Sequence, residues 1–548
     1  MSYEKEQLIH QWKMLRAKYF NLFEENQIRF KKHCSHHPLY HSVVKHFDKN
    51  FTQVNQIAQD EIENYIKNKK DKYMRKTKIV VTLGPATDNL KDIIKLIKKG
   101  VNVFRLNFSH ATHEYHKELI TKVRKASKIL NKNVAILQDI AGPKIRISQL
   151  KKPIELKTGD ILTITKNQID EEKKIVSLSY PDIIDSLEVG DPVYFSDGTI
   201  RAKVITKSND FVECKIIIAQ TLQSKKGMNL PKSKLNILSV TQKDKLDLAF
   251  GAKNGVDLVA LSFVSDAQDI KDAKKVLEKY GANPMIFAKI EKQEAIKNIK
   301  SILKSADGIM VARGDLGVEL GLTKVPHIQK DIIKQAANMG KPTITATQML
   351  TSMINCQYPT RAEISDIANA VLDGTDAVML SDETTIGKHP LKAVEVLNNT
   401  INETEKDYNY NKTLDNTTQD DSIAKAATTL ASSLKLDGII TFTSSGKSAI
   451  SLSKVRPKQN IIVSSFDIAT LRKLQVVWGI NLTYLSDKFN DTDKLIKSFL
   501  VDNIKNNIIS KNKKYVLTIG SHLDIEHSTN DIRVIDKKSI NYLIKKDI

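Results

Sequence analysis

Two carboxylates, Glu291 and Asp315, each stand just beyond a short apolar run, and cations close or follow similar runs at Arg105, Lys144, Arg146 and Lys289. Carboxylate oxygens suit an oxygen-seeking dication such as Mg²⁺. Several positive charges gathered on the same rim suit oxyanions. The combination is that of a site which holds and stabilises a phosphoryl group in transfer. One run ends Arg105-Leu106-Asn107-Phe108-Ser109-His110. The next ends at Asp139 and goes on to Gly142-Pro143-Lys144-Ile145-Arg146. Later runs end Lys289-Ile290-Glu291, Arg313-Gly314-Asp315 and Thr347-Gln348. A lone Asp or Lys at a strand end is usually a solvated loop charge; coincidence over five strand ends is what points to chemistry.

The elements that must position these groups are short β-rich runs alternating with helical segments. Eight runs read as strands: 77–84, 102–109, 133–140, 256–263, 284–290, 308–316, 342–349 and 377–381. Segments 89–99, 266–280 and 360–372 read as connecting helices. Eight such units close naturally into a (β/α)₈ barrel with its chemistry at the carboxyl ends of the strands, although the count alone also allows a doubly wound open sheet. Between the third and fourth runs the texture changes to short β segments punctuated by Gly159-Asp160, Gly190-Asp191 and Asp197-Gly198, the pattern of an inserted small β-barrel. After Tyr408 a polar stretch leads into a second α/β unit. The expected domains are a helical extension at 1–74, a barrel at 75–142 and 239–408, an inserted β-domain at 143–238 and a C-terminal α/β domain at 409–548. The extension carries apolar residues at helical spacing (Leu8, Trp12, Leu15, Tyr19 and Leu22). It also holds His33, Cys34, His36, His37, His41 and His46, whose spacing matches no metal-ligand pattern, so a polar hairpin loop is the preferred reading.

The net charge of +22 raises the question of nucleic acid, but the excess is lysine spread along the whole chain and no nucleic-acid module appears. No stretch approaches the length of a membrane span. Cysteines 34, 214 and 356 are too few and scattered for a disulfide framework, which fits a reducing compartment. The start of the chain lacks the apolar core of a signal peptide and carries acidic residues, so a cytoplasmic location is expected.

Long motifs then resemble the pyruvate kinase family, in the family's order, from about Lys76 to Val534. They are Thr82-Leu83-Gly84-Pro85-Ala86, Arg105 to His110, Lys225-Lys226-Gly227-Met228-Asn229-Leu230-Pro231, Lys289-Ile290-Glu291, Met310 to Glu319, Ala346 to Leu350 and Pro359 to Met379. The resemblance implies transfer of the phosphoryl group of phosphoenolpyruvate to ADP, giving pyruvate and ATP, with Mg²⁺ (Mn²⁺ substituting) as cofactor and a homotetramer as assembly. It implies that Lys289 lies against the phosphoryl group in flight and then the enolate oxygen, that Glu291 and Asp315 hold Mg²⁺, and that Arg105 binds phosphate. Backbone amides at Gly314 and Asp315 would take the substrate carboxylate, and Thr347 would help deliver a proton to the methylene carbon with an ordered water. Pro85, Asn107, His110, Arg146 and Lys226 match the nucleotide contacts, with Lys226 on the inserted domain, whose closure would complete the site.

The resemblance also bears on potassium. The pocket that holds a monovalent cation in many relatives matches Asn107, Ser109, Asp139 and the carbonyl of Ile140. A subset of the family has lysine where the others have glutamate, and works without K⁺. This chain has Lys144 there, so K⁺ is not expected to be required; its ammonium is expected beside Asp139. Thr443-Ser444-Ser445-Gly446-Lys447-Ser448 resembles the family's effector phosphate loop. The later loop holds Asp524 and Glu526 where glycines are usual, which argues against phosphorylated effectors. Two further departures are Lys292, usually Asn, and Asp382, usually Gly, the latter expected to strain or reshape its turn. Two other readings are a catalytically inactive paralogue acting as a scaffold and another Mg²⁺-dependent barrel acting on enolates. The first should have lost one of Lys289, Glu291, Asp315, Arg105 or Thr347, and all are present. The inserted domain and the nucleotide-contact set argue against the second.

Overall fold

The computed structural model describes residues 74–231, 239–413, 418–520 and 529–545. The helical reading of the first 73 residues, the His and Cys cluster within them and the acidic loop at 521–528 lie outside the described residues.

The chain opens with β1 (Lys78–Thr82), β2 (Val103–Asn107) and β3 (Ala135–Asp139). An insertion follows with β4 (Ile161–Thr165), β5 (Ile175–Ser177), β6 (Pro192–Phe195), β7 (Ile200–Lys207), β8 (Phe211–Ile218) and β9 (Met228–Asn229). The first fold then resumes with β10 (Leu258–Leu261), β11 (Met285–Ile290), β12 (Gly308–Ala312), β13 (Thr343–Ala346) and β14 (Ala377–Leu380). Strands β1–β3 and β10–β14 form a closed parallel barrel, in which β3 pairs directly with β10 across the insertion. The short strands are buried on both faces, as a barrel wrapped in helices requires. Side chains alternate: Ile79, Val81, Phe104, Leu106 and Ile136 pack outward under the helices, while Val80, Leu137, Ala260, Phe287, Met310 and Ile344 belong to a second, inner core. Phe287 fills the place a side chain at Gly308 would need: a Cβ there would stand 2.3 Å from its ring. This is why the sixth barrel strand begins with glycine.

Local signals set the helix starts. The Asn89 side chain caps α1 (Leu90–Lys98), Asp266 caps α2 (Ala267–Glu278), and the sixth strand runs directly into α3 (Arg313–Leu320). Thr360 and Glu363 form a reciprocal capping box on α4 (Arg361–Asp373). The strand read as 308–316 therefore stops at Ala312, and Gly314 and Asp315 fall in the first turn of a helix. The strand read as 342–349 stops at Ala346 because Thr347 (φ 70°) and Gln348 (φ 55°) adopt left-handed backbone. Asp382 opens the short helix α5 (Asp382–Thr385) and is not among the residues with positive φ, so the strain expected there is absent. The tight approach is taken instead by Gly387, where a Cβ would meet the Glu383 carbonyl oxygen at 2.4 Å.

The inserted strands form a six-stranded sheet in the order β5-β4-β8-β7-β6-β9, around its own core of Leu162, Ile164, Val193, Phe195, Ile200 and Val212. Bridges from Arg146 to Gly227, Ile147 to Leu178 and Ile154 to Leu222 add to it, so the expected small barrel is a partly closed sheet. The C-terminal sheet holds β15 (Gly438–Phe442), β16 (Asn460–Ser465), β17 (Ile480–Leu485), β18 (Tyr515–Gly520) and β19 (Thr529–Ile535), in the order β17-β16-β15-β18-β19 with only β19 antiparallel. It meets the barrel at the amino ends of the strands. There Arg456 Nη1 donates to Asp376 at 2.9 Å, and Lys78 Nζ donates to the Ile480 carbonyl. That end is thus closed by a domain, and the carboxyl ends face the inserted sheet. Within the C-terminal domain the Ile508 amide donates to the Asn503 carbonyl at 2.8 Å.

Candidate active site

The carboxyl ends of β2, β3, β10 and β11 converge on one buried polar cluster. Lys289, near the end of β11, is only 12% exposed in its side chain. Its Nζ donates to Ser262 Oγ at 2.7 Å and lies 3.0 Å from Glu291 Oε1 and 3.3 Å from Asp139 Oδ1. Burial disfavours its charge, but Asp139 and Glu291 outweigh this and hold the ammonium above its ordinary range. Asp139 is held below the usual carboxylate range: burial raises it, and the charges of Lys289 and Arg105 more than reverse this. Arg105 Nε donates to Asp139 Oδ2 at 2.7 Å and Nη1 to Thr82 Oγ1 at 3.0 Å, while Nη2 has no bond to the described residues. The guanidinium is therefore aimed by two fixed acceptors with one edge left for an oxyanion.

Glu291 accepts the Phe263 amide at 2.6 Å, an amide presented by a left-handed residue (φ 56°). Burial raises its pKa, the Lys289 charge opposes this, and the charge of Asp315 adds to it. Glu291 and Asp315, both offering carboxylate oxygen, form a donor set that fits a hard dication. With only two protein ligands, such a site would leave room for water and substrate oxygens, as Mg²⁺ favours. Asp315 sits in the first turn of α3 beside Gly314, whose amide donates to Thr347 Oγ1 at 2.9 Å. The Thr347 hydroxyl in turn donates to the Ala346 carbonyl at 2.6 Å.

Sequence reading placed the Lys144 ammonium beside Asp139. It stands elsewhere, 3.6 Å from Asp315 Oδ1 and 3.6 Å from Asp197 Oδ1 of the inserted domain. The physical reason is occupancy: Arg105 and Lys289 already neutralise Asp139. Three of the residues matched to the monovalent-cation pocket have protein partners. Asn107 Oδ1 accepts the Ser109 amide at 3.1 Å, Asp139 takes Arg105 and Lys289, and the Ile140 carbonyl accepts Ser262 Oγ at 2.7 Å.

Pro85, Ser109, His110 and Lys226 are exposed at the mouth, with Arg146 partly buried. Arg146 lies on the inserted domain, its Nη1 donating to the Lys225 carbonyl at 3.2 Å, and the Ile147 amide donates to the Lys226 carbonyl at 3.0 Å. The two cations therefore belong to one paired segment. Burial and then the charges of Arg146 and Arg105 hold the His110 imidazole below its usual range, with Asp382 opposing. Cations at the mouth thus disfavour protonation of this imidazole. A second bond joins the inserted domain to the barrel: Asn229 Nδ2 donates to Glu319 Oε1 at 3.2 Å. Burial pushes Glu319 up to about 7.

Thr443 to Ser448 lie apart from this cluster, at the carboxyl end of β15. Gly446 (φ 91°) donates its amide to Thr443 Oγ1 at 2.9 Å and opens α6 (Lys447–Lys454), and Ser448 Oγ meets Thr529 Oγ1 at 2.6 Å. Sequence reading quoted Thr82 and Arg313 within motifs without giving them a role, and missed Ser262. Ser262 follows the fourth barrel strand, and its position at a strand end was the available signal.

Comparison with known proteins gives a consistent result. The profile of the pyruvate kinase barrel domain matches residues 74–394, and that of the pyruvate kinase alpha/beta domain matches 421–535. Pyruvate kinase 2 of Synechocystis sp. is 40% identical over 474 residues, covering 85% of this chain and 80% of its own length. Pyruvate kinase of Staphylococcus aureus is 40% identical over 470 residues, covering 84% and 80%. The crystal structure of a pyruvate kinase from Cryptosporidium parvum superposes with a TM-score of 0.78 at 35% identity, covering 84% of this chain and 96% of that one.

Proposed function

The chain belongs to the pyruvate kinase family of phosphotransferases, and from that premise we propose how its own residues move the phosphoryl group of phosphoenolpyruvate onto ADP. Arg105 binds the phosphate with its remaining edge. The Asp315 amide, in the first turn of α3, is offered to the substrate carboxylate, a helix start being a ready anion site, while the neighbouring Gly314 amide holds Thr347 Oγ1. Lys289 lies against the phosphoryl group as its bond to the enol oxygen breaks, then against the enolate oxygen left behind. Glu291 and Asp315 would hold Mg²⁺, which when bound neutralises the charge of phosphate and carboxylate oxygens together. Thr347 helps deliver a proton, through an ordered water, to the methylene carbon: a C–H bond forms there as the enolate oxygen becomes the carbonyl of pyruvate. Pro85, Asn107, His110, Arg146 and Lys226 receive ADP, and closure of the inserted domain excludes water from the reacting groups.

One observation carries this reading. A buried ammonium, Lys289, is shared between Asp139 and Glu291 at the carboxyl ends of the barrel strands, with the Arg105 guanidinium on the same aspartate. Such an ammonium is a preorganised charge waiting for a developing anion.

The finer reading is that Mg²⁺ is required and K⁺ is not. It is supported by Asp139 and the Ile140 carbonyl, whose partners are Arg105, Lys289 and Ser262. The Lys144 ammonium adds a fixed positive charge at Asp315. The test is pyruvate formation from phosphoenolpyruvate and ADP, coupled to a reporter enzyme that itself needs no K⁺. It is run in tetramethylammonium buffer with and without KCl at matched ionic strength, and with chelator. Turnover in the absence of KCl, lost on chelation, is the expected result. A large rise on adding KCl overturns the K⁺ reading alone, and absence of turnover in every arm overturns the assignment.

A further inference from the structure

Residues 346–349 hold an unusual backbone. Thr347 (φ 70°) is β-branched and left-handed, a combination that ordinary loops avoid, and Gln348 (φ 55°) repeats it. Such a conformation persists only when its surroundings over-determine it. The surroundings here are one buried side chain. Arg313, 7% exposed, donates Nη2 to the Thr347 carbonyl at 2.6 Å, to the Gln348 carbonyl at 3.3 Å and to Met349 Sδ at 2.7 Å. Its Nε donates to the Thr347 carbonyl at 3.2 Å and to that of Ala346 at 3.3 Å. Nη1 goes elsewhere, to both oxygens of Asp366 at 2.7 Å each, on helix α4 and 53 residues away in sequence. The planar fork of the guanidinium is thus clamped at one edge by a carboxylate and spends its other donors on successive carbonyls of the turn. With the turn fixed, the Thr347 hydroxyl has one position, between the Ala346 carbonyl and the Gly314 amide.

We infer that Arg313 and Asp366 are positioning residues for the proton-delivery step. Asp366 orients Arg313, Arg313 imposes the left-handed turn, and the turn sets where the Thr347 hydroxyl orders the proton-donating water. Neither residue touches substrate. The inference rests on the reading of Thr347 given above and extends it to two residues outside the reacting site.

The test compares Thr347→Ala, Asp366→Asn, Arg313→Lys, Asp366→Glu and the double variant Thr347→Ala/Asp366→Asn in the full-length enzyme. It measures kcat, both KM values, the solvent deuterium isotope effect and thermal stability. Asp366→Asn and Arg313→Lys are expected to lower kcat by about 100-fold, the loss typical of a catalytic group displaced by about 1 Å, with both KM values within about threefold. The solvent isotope effect should rise, because proton delivery becomes slow, and Asp366→Glu should recover part of the rate. In the Thr347→Ala background, Asp366→Asn should cost less than about threefold more, since both act through one hydroxyl. Multiplying losses in the double variant overturn the inference, as does a lowered melting temperature with kcat unchanged. Thr347→Ala with wild-type turnover is a separate outcome, in which the reading of Thr347 fails and this inference with it. Should Asp366→Asn not fold, Arg313→Lys in the same two backgrounds gives the same judgement.

Discussion

Replacing Lys289 by Met removes one charge from the centre of the site while keeping an unbranched side chain. Three groups lose their partner: Ser262 Oγ at 2.7 Å, Glu291 Oε1 at 3.0 Å and Asp139 Oδ1 at 3.3 Å. Breaking a buried ion pair commonly costs about 3–5 kcal/mol because a charge is left uncompensated. The low end applies here. Asp139 keeps Arg105 at 2.7 Å, and Glu291 keeps the Phe263 amide at 2.6 Å. Glu291 can also discharge itself: burial already raises its proton affinity and Lys289 opposes that, so without the lysine it takes up a proton more readily. About 3 kcal/mol of lost stability is a tolerable fraction of the total for a chain of this size. Catalysis loses more. Removing one preorganised neutral donor typically costs about 3–4 kcal/mol of transition-state stabilisation, or 100- to 1,000-fold, and a full charge in a dry site exceeds that. Turnover should therefore fall by at least about 1,000-fold. Coupled pyruvate formation reads the rate, and circular dichroism with a thermal melt confirms that the variant is folded. A folded Lys289→Met protein turning over within about tenfold of wild type would refute the reasoning, because no charge would then be needed where the structure puts one.

Lys226→Ala should raise KM for ADP by about tenfold, as loss of one charge contact to a ligand does, and KM for phosphoenolpyruvate by much less; equal rises would separate this residue from the nucleotide. Glu319 gives a pH prediction. Burial lifts its carboxyl from an ordinary 4.5 to about 7 against the hydrogen bond from Asn229 and the charge of Lys292. Below pH 4.5 both folded and unfolded chains hold the proton. From there to about 7 only the folded chain does, so this group lowers stability as pH rises through that window and adds nothing further above it. Glu319→Gln should therefore gain on wild type by about 2 kcal/mol between pH 4.5 and pH 8, allowing for partial exposure. Denaturant midpoints that run parallel for the two proteins across that range would defeat it.

Much of this protein is written in local pattern. The barrel is legible because each strand is a short apolar run and several helix starts carry their own caps, as at Asn89, Asp266 and Thr360. The main rim residues are legible because barrel chemistry collects at strand ends, so Arg105, Asp139, Lys289, Glu291, Asp315 and Thr347 could be found without coordinates. Strand lengths were less so. The sixth and seventh strands looked longer than they are: the chain turns into a helix at Arg313 and into a left-handed turn at Thr347, with no break in the sequence such as a proline to mark either end.

Partnership among the charges was decided only in three dimensions. Asp139 has one carboxylate to share, and which of Arg105, Lys289 and Lys144 receives it depends on angles between strands far apart in sequence. Arg105 and Lys289 take it, leaving Lys144 to Asp315 and Asp197. Ser262 and Asp366 were silent for the same reason. A serine past a strand and an aspartate within a helix have no periodicity that marks them. They acquire meaning when the barrel closes and brings Ser262 under Lys289, and Asp366 onto Arg313 from 53 residues away. Composition and period report what each segment buries; the pairing of fixed charges follows from closure, which no segment contains.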